Sequence, residues 1–156
     1  MAFDAFLKLD GIPGESADHK HKGEIEVLSF SWGISNTLSI GSATGGAGAG
    51  KTTVQDFSIV KMIDQSSPVL FQKCCEGSNL GNGLFTLVDR QTGLGFYKIQ
   101  FENVLISSLQ PAGSAGGQAP MESLSLNFTR VEISSSDTRG NTTNTIMCDM
   151  GQNKVG

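Results

Sequence analysis

Gly45-Gly46-Ala47-Gly48-Ala49-Gly50-Lys51-Thr52 has the spacing of a nucleotide phosphate loop: a glycine, four residues, then glycine, lysine and a hydroxyl residue. In that chemistry, backbone amides and the lysine cradle the phosphates. It needs a buried strand before the loop and an amphipathic helix after it, so that the helix N-terminus aims its amides at the anion. Residues 52–60 are instead rich in Thr, Val and Ile and carry no helical apolar stripe, so they read as a β-strand. Lys61 also interrupts the apolar run 59–63, which would have to precede Asp64 in the second nucleotide motif. A phosphate-loop nucleotidase is therefore the enzyme reading to be rejected.

The other reactive side chains make no constellation. His19 and His21 lie in a charged loop. Cys74 and Cys75 are adjacent, a pairing whose geometry strains a disulfide, and Cys148 leaves the count odd. Free thiols are expected, and these residues supply too few ligands at suitable spacing for a metal. No Ser or Cys sits in a strand-to-helix elbow that would activate a nucleophile. No catalytic residue, metal or cofactor is expected.

The elements behind these residues are mostly strands. Phe3, Leu7 and Leu9 begin an alternating pattern that ends at the turn-forming residues 11–14. Ile25 and Val27 share one phase and Leu28, Phe30 and Trp32 the other, with Ser29 and Ser31 between them. That change of phase predicts a bulge, or a strand passing from one sheet to another. Residues 54–63, 84–88, 94–109 and 121–133 give further strands, with turns at 81–83, at Gly93 and across 111–120. Residues 41–50 have too few side chains to pack. Residues 134–144 read as loose and polar, with a final strand at 145–150.

One helix is predicted, with Ser67 as its cap, Pro68 at its first position and Gly77 just past its end. Leu70, Phe71, Cys74 and Cys75 would form its apolar face, a lid over a β core.

The length suits one domain over residues 1–156. Eleven Lys and Arg against fifteen Asp and Glu give a net charge of −4, the wrong sign for a chain that follows nucleic-acid phosphates. The first ten residues have no basic start and no long apolar run, so neither a cleavable signal peptide nor membrane insertion is expected.

Five stretches taken together resemble the haemolysin-coregulated protein (Hcp) family, the tube subunit of bacterial type VI secretion systems. They are residues 2–16, residues 25–33, the run from Val54 and Phe57 through Lys61 and Asp64 to Pro68, residues 104–108 and residues 122–128. Their order and spacing match over nearly the whole chain. The sequence departs from the family where Ile133 leads into three serines rather than an aromatic, and at Cys148, where a tryptophan before Asp149 is common.

The resemblance implies a compact two-sheet β-barrel with one short helix on its side, assembled into hexameric rings that stack into a hollow tube. It implies partners of four kinds: further copies of the chain, a contracting sheath, a spike protein, and small effectors carried in the lumen. Assembly would be cytoplasmic, followed by export from the cell or into a target cell. Ser29 and Ser31 are the expected lumen-facing positions. Gly45, Gly46, Gly48, Gly50 and Lys51 fall in the extended loop, residues 41–51, expected to reach the neighbouring ring. With the chain ending at Gly156, no appended enzyme domain is expected. The rival from another class is a monomeric β-sandwich binding module, for which Trp32 and Tyr97 would have to be exposed platforms rather than core residues.

Overall fold

The computed structural model describes residues 2–36, 52–150 and the backbone of 154–155. The chain runs through β1 (Phe3–Leu9), β2 (Ile25–Val27), β3 (Ser29–Ser31), β4 (Ile34–Asn36), β5 (Thr52–Val54), β6 (Phe57–Met62) and α1 (Ser66–Glu76). It continues through β7 (Gly83–Asp89), β8 (Gly95–Glu102), β9 (Leu105–Ala112), β10 (Met121–Asn127), β11 (Arg130–Ser136), β12 (Thr142–Asp149) and β13 (Lys154–Val155).

Alternation sorts these strands into two main sheets around one core. The larger has the order β13-β12-β11-β8-β7-β1-β2, and every pair in it is antiparallel. Because directly paired residues share a face, its register lines up Ile25, Leu7, Phe85, Ile99, Ile133 and Ile146 in one apolar row across six strands. The second sheet has the order β3-β6-β10-β9 and turns Phe57, Ile59, Leu124 and Leu126 inward, all fully buried. Phe57 meets Phe85 and Phe101 of the larger sheet at ring distances of 4.9 and 5.0 Å, in the tilted and edge-on arrangements that aromatic rings favour.

The phase change at Val27 and Leu28 is a crossing between sheets. β2 pairs with β1 in the larger sheet, whereas β3 pairs with β6 in the smaller. The Leu28 amide donates to the Val60 carbonyl at 2.8 Å, so the chain is already held by the second sheet at the first residue after the switch. The mainly β fold with one side helix is as expected. Among the described residues, however, the two sheets do not close on one another into a barrel, and β4 and β5 form a separate two-stranded ribbon.

Two local expectations are corrected. Residues 134–144 are not a loose segment: Ser134–Ser136 continue β11 and pair with Thr145, Asn144 and Thr142, leaving only a short turn at 137–141. Backbone pairing orders this hairpin although its side chains are polar. On α1, Leu70 is fully buried and Cys74 packs against the core, but Phe71 is 58% exposed and Cys75 is exposed. The i, i+4 pair faces inward and its neighbours in sequence rotate away, so the lid is narrower than an apolar count suggests. Gly77 ends the helix in the left-handed conformation at φ +63°, its amide reaching the Cys74 carbonyl.

Lys61 sits on the inward face of β6 and is fully buried. Its ammonium donates to the Asp64 carboxylate at 3.0 Å, to the Met62 carbonyl at 2.9 Å and to the Ser67 hydroxyl at 3.3 Å, and it forms a short ion pair with Glu122 of β10. Ser67 in turn donates to Glu122 at 2.6 Å and accepts from the Asp64 amide. Ser67 therefore does not cap the helix. Gln65 occupies the cap position but its side chain donates to the Gly14 carbonyl at 2.6 Å and not to the helix, and the Asp64 carboxylate accepts the Ser66 amide at 2.8 Å.

Removing one partner of such a cluster strands a buried charge. Lys61→Met should cost about 3–5 kcal/mol of unfolding free energy, measured by urea denaturation, and adding Glu122→Leu should recover most of that loss. A single variant as stable as the parent would show that the cluster does not hold these elements together.

Candidate assembly and cargo surfaces

The outward face of the four-stranded sheet contains no charged residue in its paired rows. Ser31, Ser58, Ser125 and Ser108 are consecutive cross-strand partners over β3, β6, β10 and β9. The next row is Ser29, Val60, Ser123 and Gln110, followed by Met62, Met121 and Ala112. Ser58 and Ser125 bond through their hydroxyls at 3.0 Å, while Ser29 and Ser31 are exposed at the sheet edge. Those two serines are thus the visible end of a ladder whose other members only strand pairing brings together. Alternation of serine with leucine at 123–126 was the signal for Ser123 and Ser125.

Along its serine rows such a face can do hydrogen-bonding chemistry, with apolar contact added at the Met62–Met121 end. Hydroxyls both donate and accept, so they can exchange a partner's polar groups for water without desolvating a charge.

A second surface is an apolar cleft of about 360 Å³ between β4 and the β11–β12 end of the larger sheet. Trp32, Tyr97, Cys148 and Met150 line it, and Ile34 and Ile146 stand exposed at 65% and 45%. The Trp32 ring is anchored: its Nε1 donates to the Gln55 carbonyl at 2.8 Å, and it meets Phe57, Phe101 and Phe128 edge-on. Cys148 occupies the row of Phe101 and Val131, its thiol 3.9 Å from the Met150 sulfur. Trp32 and Tyr97 are both half-buried, which is poor geometry for sugar platforms.

The remaining candidates do not converge on these surfaces. Thr52 opens a strand rather than a helix, as expected, and the inter-ring candidates Gly45, Gly46, Gly48, Gly50 and Lys51 lie outside the described residues. His19 is exposed, whereas His21 stacks on Phe6 at 4.5 Å and bonds Glu24 at 2.9 Å. Among the described residues no group of three or more His, Cys, Asp or Glu is placed to hold a metal, and no helix is long and apolar enough to cross a membrane.

Burial raises the pKa of Tyr97 above its ordinary value. The unfolded phenol ionises near about 10 and the folded one later. Its contribution to stability is therefore present below the unfolded value and lost as pH rises through the folded one. Tyr97 is the chain's single tyrosine, so phenolate absorbance reports it alone. The folded protein should titrate later than the urea-unfolded chain, and Tyr97→Phe should abolish that part of the alkaline stability loss. Coincident titration curves would show that the cleft does not shield the ring.

The model of the family described as "Type VI secretion system effector, Hcp" matches residues 6–134, a span that contains Ser29, Ser31 and the Lys61–Glu122 cluster. Protein hcp1 of Pseudomonas aeruginosa is 39% identical over 137 residues, which cover 85% of this chain and 83% of that protein. The crystal structure of Hcp1 from Salmonella typhimurium superposes with a TM-score of 0.84 at 34% identity over the full length of both chains. A solved type six secretion system protein superposes with 0.90 at 30% identity, covering 99% of this chain and 100% of its own. The sequence match, running through both sheets and the buried cluster, shows that this chain belongs to the Hcp family of type VI secretion system proteins.

Proposed function

We propose that this protein is a non-enzymatic building block of the secretion tube: copies close into six-membered rings, rings stack, and the serine-rich face of the four-stranded sheet lines the lumen. The observation that carries this reading is the uncharged face itself, four strands wide, in a chain with 26 charged side chains. A passenger would be held there by many neutral hydrogen bonds, each weak enough to be exchanged for water during loading and release.

Small effector proteins are the passengers in this reading, and sheath and spike proteins act on the assembled tube. Assembly is in the cytoplasm, with export following as part of the machine. The exposed apolar side chains Ile34 and Ile146 beside the Trp32 cleft supply surface suited to burial against a second copy. The stretch 41–51, rich in glycine, serves as the contact to the next ring. Ordering such a segment costs entropy, which keeps each ring-to-ring contact weak while a stack of them is firm.

Light scattering on purified protein should give about 98 kDa, six times the 16.4 kDa chain, with six-fold rings in negative-stain images of the same fraction. Ser31→Arg should leave that mass unchanged and abolish protection of a co-expressed effector from proteolysis. Deleting residues 42–49 should leave rings that no longer form filaments. A clean monomer would sink the ring, and full effector protection in Ser31→Arg would move the lumen to another face.

A further inference from the structure

The outer face of the larger sheet carries a second feature, unrelated to the serine ladder. Thr86, Lys98 and Ser134 are direct partners across β7, β8 and β11, and so stand side by side on that face. Together with Lys20, His21, Ser136 and Thr142 they line a cleft of about 340 Å³. Among the described residues its lining contains two lysines, a histidine and four hydroxyls, but no carboxylate.

At the floor, Thr86 is 1% exposed and its Oγ1 has no hydrogen-bond partner among the described residues, a costly state for a buried hydroxyl. At the rim, Lys98 and Lys20 are exposed. Lys98 makes no ion pair among the described residues, and Lys20 reaches over the cleft to donate to the Gly93 carbonyl at 3.2 Å.

The carboxylates around the cleft each hold hydrogen bonds, Glu24 through Oε2 only, since its Oε1 is buried without a partner among the described residues. Asp18 accepts from the backbone amides of Lys20 and His21, Glu24 holds His21, and Asp137 accepts from the amides of Asn141 and Arg139, bonds that hold its pKa below the ordinary carboxylate value. Gly95 keeps the floor open, because a Cβ there would lie 3.1 Å from the Thr86 methyl carbon and 3.2 Å from Lys98 Cε.

We propose that this cleft binds a phosphate group, as the free ion or as a monoester, with Lys98 and Lys20 supplying charge at the rim and the Thr86 hydroxyl donating at the floor. A phosphate offers several acceptor oxygens to ammonium and hydroxyl donors set at different heights, which a planar carboxylate cannot engage at once. The Ser134, Ser136 and Thr142 hydroxyls on the hairpin wall add neutral donors to the same anion.

The test is equilibrium dialysis and melting temperature on the assembled protein, at fixed ionic strength, with inorganic phosphate, phosphoserine and acetate. Saturable binding of phosphate is expected, with a rise in Tm that acetate does not reproduce. Binding of phosphoserine as well would show that a phosphorylated partner can enter, and its failure would restrict the site to the free ion. Lys98→Gln, at an exposed position, should weaken phosphate binding about tenfold. Thr86→Val should also weaken it severalfold, yet leave the phosphate-free protein as stable or more stable, since a methyl replaces an unpartnered hydroxyl. An equal response to acetate, the absence of saturation, or variants that bind like the parent would overturn the proposal.

Discussion

The arrangement of the second sheet depends on one buried ammonium. Lys61 occupies a position where alternation demands an apolar side chain, between Ile59 and the end of β6, with both its sheet neighbour and the helix start supplying acceptors. An ammonium has three protons, and here four acceptors surround it from β6, the β6–α1 turn, β10 and the first turn of α1. Burying this charge is tolerable only with all its partners in place, so β10, the β6–α1 turn and the helix must adopt one mutual geometry. The smaller sheet is therefore specified by a polar condition at one end and by aromatic packing of Phe57 against Phe85 and Phe101 at the other.

That constraint also explains what was legible in the sequence. The crossing between sheets was readable because a one-residue slip in phase flips every later side chain, and Val27 and Leu28 mark the slip. The helix end at Gly77 was readable because few residues accept a positive φ. Lys61 was legible only as an interruption: its partner Glu122 is 61 positions away, and no local pattern announces a buried ion pair. Ser67 looked like a cap for the same reason, since the hydroxyl's real partners belong to that distant cluster. The hairpin at 134–144 was obscured by side chains that are polar on both faces, where backbone pairing rather than burial sets the structure. As for the surfaces, Ser29 and Ser31 were readable as the polar positions of their strand, but the full ladder required knowing that β6, β10 and β9 lie beside it.

The two sheets share a core and differ outwardly in charge. On the larger sheet, the row that contains Thr86 also holds Glu26 and Lys98, and the next row on the same face holds Lys8 and Glu132. On the smaller sheet, the corresponding rows are hydroxyls, an amide and small or apolar groups. Serine has weak β propensity, so a strand that spends its outer positions on serine must draw its stability from the inner face and the ladder bonds. The inner positions supply it: Phe57, Ile59, Leu124 and Leu126 are all essentially inaccessible to solvent.

In the proposed tube, this division has a consequence for transport. A charged lumen face would bind a passenger of opposite sign strongly and repel others, and it would vary with salt. A neutral face of short side chains leaves width for a passenger and offers each of its polar groups a partner no better than water by more than a small margin. Total retention can then be substantial while every single contact remains exchangeable, which suits a container that must both hold and release. The methionines at the end of the same face, Met62 and Met121, extend this logic to apolar groups, because an unbranched thioether adapts its shape to what it meets.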